Sequence, residues 1–241
     1  MKKEILILFV LLSMISCKNQ LVNYMFQKQG IYDEKISIKK LNYGNKEIVF
    51  LPMHHIGTNN FYSDVMKKVD SLKKMGYYFY TEKVNMNSEK KDLMKFRKII
   101  GIGLPNGSYE KIMDSIILEK KLKMKNEIAF QPDYSFWKLN SDNSNNVDAT
   151  IHDLVSFYES KYGEVKLEDC DFASPNVTNS TKCGKKKNYK KEYDEVVLDY
   201  RNNLIVNNIV VEPKQKIALI YGAGHYEGVK KKLDSLSISN Q

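Results

Sequence analysis

Three of the four histidines in this chain lie in two short segments near its opposite ends. Residues 48–57 read IVFLPMHHIG and contain His54 and His55, whereas residues 217–225 read IALIYGAGH and end at His225. In both segments a continuously apolar stretch, typical of a strand buried on both faces, precedes the histidines. An imidazole at the carboxyl end of such a strand can bind a metal ion or act as a general base, because open α/β sheets place their ligand sites there. The alternative is that these histidines are core residues.

A glutamate is the third candidate for this site. Glu82 ends a stretch that predicts a strand beside the one leading to His55, so that both side chains would project from one edge of the sheet. A buried carboxylate is costly unless it meets a cation or a hydrogen-bond donor. The alternative is a solvated Glu82 that pairs with Lys83. Gly222 and Gly224 favour a ligand site, because glycine lets the backbone turn sharply and approach a ligand closely.

The elements that must position these residues alternate between strands and helices. The hydrophobic pattern predicts strands at 36–41, 47–53, 77–82 and 216–221, helices at 58–76, 88–125, 149–162, 192–210 and 227–236, and a loop at 138–147. A Gly/Pro-rich stretch at 101–107 interrupts the second helix. A strand, a helix and a further strand of this length predict a right-handed parallel crossover. We therefore expect an α/β fold with a central, mostly parallel sheet flanked by helices.

The amino terminus predicts export. Residues 1–17 combine two early lysines, a short apolar run and a small residue before Cys17, which resembles a bacterial lipoprotein signal with the lipid on Cys17. An ordinary secretory signal is the alternative. Residues 18–29 then read as a polar tether, and 30–241 as a single domain with a polar insert at about 168–191. The protein would be anchored by its lipid to a bacterial membrane, on the periplasmic or cell-surface side.

Charge and cysteine content add two expectations. The formal net charge is +9, and lysines are dense at 182–191, but a solvated surface explains this better than a nucleic-acid site in an exported protein. We therefore expect no nucleic-acid partner. Outside the cytoplasm a disulfide between Cys170 and Cys183 is chemically permitted, and the sequence leaves it open.

Four short stretches occur in the order found in a known family. They are LPMHHIGT at 51–58, YTE at 80–82, YRN at 200–202 and GAGH at 222–225. This order resembles the TraB/PrgY/TIKI family, which includes the GumN-like bacterial proteins and is related to erythromycin-esterase-like and haem-binding ChaN-like proteins. The resemblance covers roughly residues 45–236 and implies an α/β fold of that kind.

The resemblance implies a divalent-metal-dependent hydrolase, since animal members of the TIKI branch act as metalloproteases. His55, Glu82 and His225 would bind the cation, and manganese, cobalt and zinc are all compatible with such ligands. Arg201 would stabilise oxyanion charge and Asn202 would orient a peptide, protein or small-molecule substrate, with Glu82 also catalytic. Gly222 and Gly224 belong to the completely matched final motif and are further binding positions, as is His54 beside His55. Gln131 and Asp148 match polar positions of the family more loosely.

One position departs from the family pattern. Pro52 stands where the family has glycine, and proline fixes φ and removes an N–H. The departure favours the alternative function, a surface lipoprotein that binds haem, a peptide or a protein without catalysis. A purely structural surface module is the third possibility.

Overall fold

The computed structural model of the chain describes residues 19–104, 122–180, 183 and 189–239. Three sequence-based predictions fall wholly or largely outside these residues. They are the signal peptide at 1–17 with Cys17, the predicted helix beyond residue 104, and the basic block at 182–191.

Strands and helices alternate along the described chain. The strands are β1 (Lys39–Tyr43), β2 (Lys46–Met53), β3 (Ile56–Gly57), β4 (Tyr78–Thr81), β5 (Ala129–Phe130), β6 (Ser144–Asn146) and β7 (Lys216–Gly222). The helices are α1 (19–28), α2 (Asn59–Lys74), α3 (Lys90–Ile100), α4 (Ile151–Tyr162), α5 (Asp169–Phe172), α6 (Tyr189–Asp194), α7 (Arg201–Val211) and α8 (Tyr226–Ser239). Short 3₁₀ turns cover Tyr134–Trp137 and Ala223–His225, and a π-helical stretch covers Glu195–Tyr200. None of the helices in the described part of the chain has the length and apolar character that a membrane crossing requires.

The described residues form two compact units. The first contains 19–36, 54–68 and 122–133, and the second contains 37–53, 69–104, 134–180, 183 and 189–239.

A five-stranded sheet in the order β1-β2-β7-β4-β6 forms the centre of the second unit. Strands β2, β7, β4 and β6 are parallel neighbours, and β1 pairs antiparallel at one edge. The predicted α/β class with a mostly parallel sheet is therefore confirmed. The prediction that the Glu82 strand lies beside the strand leading to His55 is wrong, because β7 lies between β2 and β4 and hydrogen-bonds to both. The side chains from Ile217 to Tyr221 are all buried, as expected for a central strand covered on both faces.

The predicted helix at 58–76 is present as α2. The Thr58 hydroxyl accepts a hydrogen bond from the Phe61 N–H at 3.1 Å, as an N-cap does. Gly76 has φ +80°, a left-handed conformation that ends the helix without a side-chain clash.

Three segments differ from their predictions. Residues 138–147, predicted as a loop, include the edge strand β6. The helical stretch predicted from 88 begins as α3 and ends at Ile100, because Gly101 adopts φ +67° as the C-cap. The helix predicted at 192–210 is helical throughout, but its middle widens into the π-helical stretch just before Arg201.

The polar insert and the expected tether are also more structured than predicted. Helix α1 covers most of the predicted tether, and in the first unit Asn23 donates a hydrogen bond to the Lys123 carbonyl at 2.8 Å. In the insert, Cys170 and Cys183 form a disulfide. Buried Arg97 donates to the Asp171 carbonyl at 2.8 Å, so a charged side chain anchors the insert's main chain.

Candidate functional site

The carboxyl ends of β4 and β7 carry the candidate site, which lies within the second unit. Glu82 directly follows β4, and its N–H donates to the Ile220 carbonyl in β7 at 3.2 Å. The Tyr134 hydroxyl donates to the Glu82 carbonyl at 2.8 Å. The first of these bonds extends the ladder between the two strands by one residue, and both bonds hold the main chain of Glu82 in place.

The Glu82 carboxylate is held by three partners. Oε1 accepts a hydrogen bond from Nη2 of Arg201 at 2.7 Å and lies 3.4 Å from Nε2 of His225. Oε2 accepts the Gly222 N–H at 2.5 Å, and a Cβ at Gly222 would lie only 3.1 Å from this oxygen. Burial alone would raise the pKa of Glu82, but His225, Arg201 and the Gly222 N–H together hold that pKa well below its usual range. The carboxylate is therefore ionised at neutral pH.

Arg201 is buried between two carboxylates. Its Nε and Nη2 donate to the two oxygens of Asp148 at 2.7 and 2.6 Å, a bidentate pair, while Nη2 also reaches Glu82. Nη1 donates to the carbonyl of Val197, within the π-helical stretch, at 3.2 Å. Burial would lower the pKa of Arg201, but the hydrogen bonds and charges of Asp148 and Glu82 raise it above its usual value. Because these contacts use most of its donors, the guanidinium positions Glu82.

Asn202 and His225 form the second half of the site. Nδ1 of His225 lies 2.8 Å from Oδ1 of Asn202, and both side chains are buried. Since an amide oxygen only accepts, Nδ1 donates this hydrogen bond, and Nε2 faces Glu82. There Nε2 either carries a second proton that stabilises the carboxylate or, in the neutral ring, offers its lone pair to a cation. An imidazole fixed through one nitrogen in this way is typical of metal-binding histidines.

Gly228 is a contributor that the sequence pattern did not reveal. A Cβ at this position, in the first turn of α8, would lie 2.1 Å from Nδ2 of Asn202. The glycine therefore lets α8 approach α7 where Asn202 is buried. At Gly224, by contrast, a Cβ would meet only Leu198, at an ordinary 3.8 Å. The available signal for Gly228 was an isolated glycine inside a helical pattern.

Tyr221 places a further polar atom near these charges. Its hydroxyl is buried and has no hydrogen-bond partner within the described part of the chain. Its ring meets the His225 ring edge-on, with centroids 5.6 Å apart. Burial raises the pKa of Tyr221 well above its usual value, and the charge of Asp148 acts in the same direction.

The charges of the site fit a bound cation. The carboxylates of Glu82 and Asp148 both pair with the single guanidinium of Arg201. Surplus negative charge in a buried site is costly unless a positive charge compensates it. A proton on His225 would compensate it, and so would a divalent ion. Two ligands bound at about 2.0–2.1 Å to one tetrahedral ion lie about 3.3 Å apart. The separation of 3.4 Å between Nε2 of His225 and Oε1 of Glu82 matches this value.

The other predicted residues belong to the first unit. His55 is exposed, and its carbonyl accepts the Gln131 N–H at 3.0 Å beside the β3–β5 pair. His54 is half-buried, with its ring centroid 5.7 Å from that of Phe61, and its carbonyl accepts the Tyr62 hydroxyl at 2.8 Å. Burial, its largest influence, lowers the pKa of His54.

A second cluster of possible ligands does not fit a metal. Glu168, Cys170, Asp171 and Cys183 have ligand atoms within 4.8 Å of one another, and among the described residues no other such group of three or more occurs. The two cysteines are disulfide-bonded and offer no thiolate, and Nζ of Lys98 lies 2.7 Å from both carboxylates. The lysine already supplies the positive charge that this cluster requires.

Comparisons with known proteins do not assign this chain to a family. No protein-family model matches the chain, and no curated protein or solved structure is significantly similar to it.

Proposed function

We propose that this chain is an exported, lipid-anchored protein of the TraB/TIKI-like kind that acts as a divalent-metal-dependent hydrolase. The observation that carries the proposal is the pair formed by Nε2 of His225 and Oε1 of Glu82, 3.4 Å apart in a site with surplus negative charge. The ordered motifs of the sequence support it, and peptides are the first substrate class to test.

Each residue of the second unit's site has a defined task in this proposal. His225 and Glu82 hold the cation, which when bound lowers the pKa of its water towards 7 and polarises a carbonyl. Asn202 keeps the His225 ring in the tautomer whose Nε2 is available. Arg201 and Asp148 hold Glu82 ionised and in place, so Arg201 is a positioning residue and not an oxyanion donor.

Metal binding is the direct test. Protein purified without chelator is analysed for bound metal and titrated calorimetrically with Zn²⁺, Mn²⁺ and Co²⁺. We expect His225→Ala and Glu82→Gln to abolish stoichiometric binding, and Asn202→Leu to weaken it about 10- to 100-fold, as loss of an orienting contact usually does. His152→Ala is the matched control, because His152 is an exposed histidine paired with Asp92.

Hydrolysis is followed with fluorogenic peptides and p-nitrophenyl acetate on the same proteins. The resemblance adds His55 as a ligand, and His55→Ala is tested alongside. If His225→Ala and Glu82→Gln each leave bound metal and turnover at the wild-type level, the proposal is wrong.

A non-catalytic binding protein is the second candidate. It is favoured by the near-complete burial of His225 and Asn202, and by Pro52, which lies opposite Tyr221 in the β2–β7 ladder without an N–H to donate. This function predicts metal, haem or peptide binding that raises the melting temperature without turnover. Turnover that depends on Glu82 would exclude it.

The lipid anchor has its own test. We expect radiolabelled palmitate to be incorporated into the wild-type protein in bacteria, and Cys17→Ser to abolish the label and release the protein from the membrane fraction. Unchanged labelling of Cys17→Ser would show that the terminus is not lipidated at this residue.

A further inference from the structure

A surface pocket in the second unit lies among residues that the proposed hydrolase site does not use. Its volume is about 730 Å³, within the usual range of small-molecule sites. The start of α3 borders it on one side, and the segment following α4 on another. Helix α5 contributes Phe172 to its wall.

The interior of the pocket is apolar. Met94 and Val165 are buried beneath it, and Leu167 and Phe172 line it. Phe172 leaves 55 % of its surface exposed, so its ring is accessible to a ligand in the pocket. Apolar side chains of this kind offer contact area but no directed hydrogen bonds, so they suit a flexible hydrocarbon.

Positive charge surrounds this apolar surface. Among the described residues that line the pocket, three are lysines (Lys90, Lys91 and Lys166) and one, Glu164, is acidic. Within the described part of the chain, none of these three lysines donates a hydrogen bond to a carboxylate, whereas the nearby Lys98 pairs with two. The charge of the pocket is therefore complementary to an anion.

The segment after α4 is fixed through its main chain. The Val165 N–H donates to Oε1 of Glu159 at 2.9 Å, and the Lys166 carbonyl accepts from Nζ of Lys98 at 2.9 Å. Glu159 is itself paired with Lys95 at 2.6 Å. The pocket wall is thus preorganised, and one of the main-chain groups that a peptide strand would need for pairing is already used at each of Val165 and Lys166.

We propose that this pocket binds a single-chain anionic amphiphile, with its acyl chain on Met94, Val165, Leu167 and Phe172 and its carboxylate or phosphate head group among the lysines. An acyl chain needs only apolar area, and an anionic head needs only positive potential near the rim. Both are present, and an extended peptide is disfavoured by the used main-chain groups.

The proposal is tested by calorimetric titration of the full chain with dodecanoate, which is kept below its critical micelle concentration. We expect saturable 1:1 binding. The Kd should be at least tenfold higher in the Phe172→Asp variant and in the double variant Lys91→Glu/Lys166→Glu. Phe136→Asp and Lys231→Glu are the controls, because Phe136 is a similarly exposed phenylalanine and Lys231 an exposed lysine, both outside the pocket. Glu82→Gln should bind as the wild type does, which separates this proposal from the hydrolase site.

Other ligands define the remaining outcomes. Weaker binding of uncharged dodecanol supports the charge assignment, and comparison of dodecanoate with lysophosphatidylglycerol identifies which anionic head group is preferred. Binding of dodecanol as tight as that of dodecanoate would overturn the lysine role. Absence of saturable binding, equal losses in Phe136→Asp, or binding only to phosphatidylglycerol vesicles or to an acidic peptide would overturn the proposal.

Discussion

At the scale of single residues, the site is governed by the cost of buried charge. Glu82 and Asp148 both pair with the Arg201 guanidinium, and each oxygen of Glu82 accepts a directed hydrogen bond. Such a network tolerates the loss of a partner poorly, because the remaining charge stays buried. The stability of the second unit should therefore depend on the protonation of Glu82.

Glu82→Gln should destabilise the protein most at neutral pH. Because the folded pKa of Glu82 is depressed, its stabilising contribution is fully present above the unfolded value of about 4.3 and is lost as the pH falls below it. We expect a loss of about 3 kcal/mol in unfolding free energy at pH 7, which shrinks below about pH 4. Urea unfolding of wild type and variant at pH 7, 5 and 3.5 measures this. Glu227→Gln, at an exposed position, is the control, and a difference that grows in acid would contradict the assignment.

Tyr221 and Tyr80, two buried tyrosines of the second unit, should respond differently to removal of the hydroxyl. Tyr221 has an unpartnered hydroxyl, so Tyr221→Phe should leave the unfolding free energy unchanged or raise it by up to about 1 kcal/mol. Tyr80 donates to Oε2 of Glu212 at 2.8 Å, so Tyr80→Phe should lose about 1 kcal/mol. Thermal melts of the Tyr221→Phe and Tyr80→Phe variants measure the two effects. A larger loss for Tyr221→Phe would show that its hydroxyl binds a partner in solution.

At the scale of elements, the close approach of α7 and α8 decides the orientation of His225. Asn202 in α7 can hold the imidazole only because Gly228 in α8 leaves room for its amide. The π-helical stretch ends at Tyr200, directly before Arg201, and such stretches are frequent at functional sites.

A double-mutant cycle measures this contact. Gly228→Ala should destabilise the protein by about 1–3 kcal/mol, since its methyl group would overlap the Asn202 amide. In the Asn202→Ala background the same change should be neutral or stabilise by up to about 1 kcal/mol, because alanine is the better helix residue. Gly224→Ala is the control, with only an ordinary contact to Leu198. Equal effects of Gly228→Ala in both backgrounds would contradict the close contact.

At the scale of the whole molecule, the disulfide closes the polar insert that chain composition alone would leave poorly ordered. Cys170 and Cys183 are 13 residues apart, and a cross-link of that span restricts the unfolded chain. The insert contributes Phe172 to the pocket wall, so the cross-link also bears on the proposed amphiphile site.

Removing the cross-link should therefore lower stability. We expect Cys170→Ser/Cys183→Ser to lose about 3 kcal/mol in unfolding free energy, the entropic value for a loop of this length. Dithiothreitol should bring the wild type to the level of the variant and leave the variant unchanged. A wild type whose unfolding is insensitive to reduction would show that the bond does not form in solution.

Much of the candidate site was predictable from local pattern. The apolar stretches around 48–53 and 217–221 predicted two central strands, because a short strand covered on both faces is continuously apolar. Residue type then singled out Glu82 and His225 at the ends of strands. The order of strands was not predictable, since main-chain pairing between distant segments leaves no periodic signal in either one.

The sequence by itself determined the α/β class, the strands that end at the site, and the residue types able to bind a cation. Only the tertiary structure decided that β7 separates β2 from β4 and brings His225 beside Glu82. It also decided that Asp148 forms an ion pair with Arg201 and that Gly228 leaves room for the Asn202 amide. Periodicity reports which face of an element is buried, whereas partners across 53 or 119 residues of chain are selected by charge and packing in three dimensions.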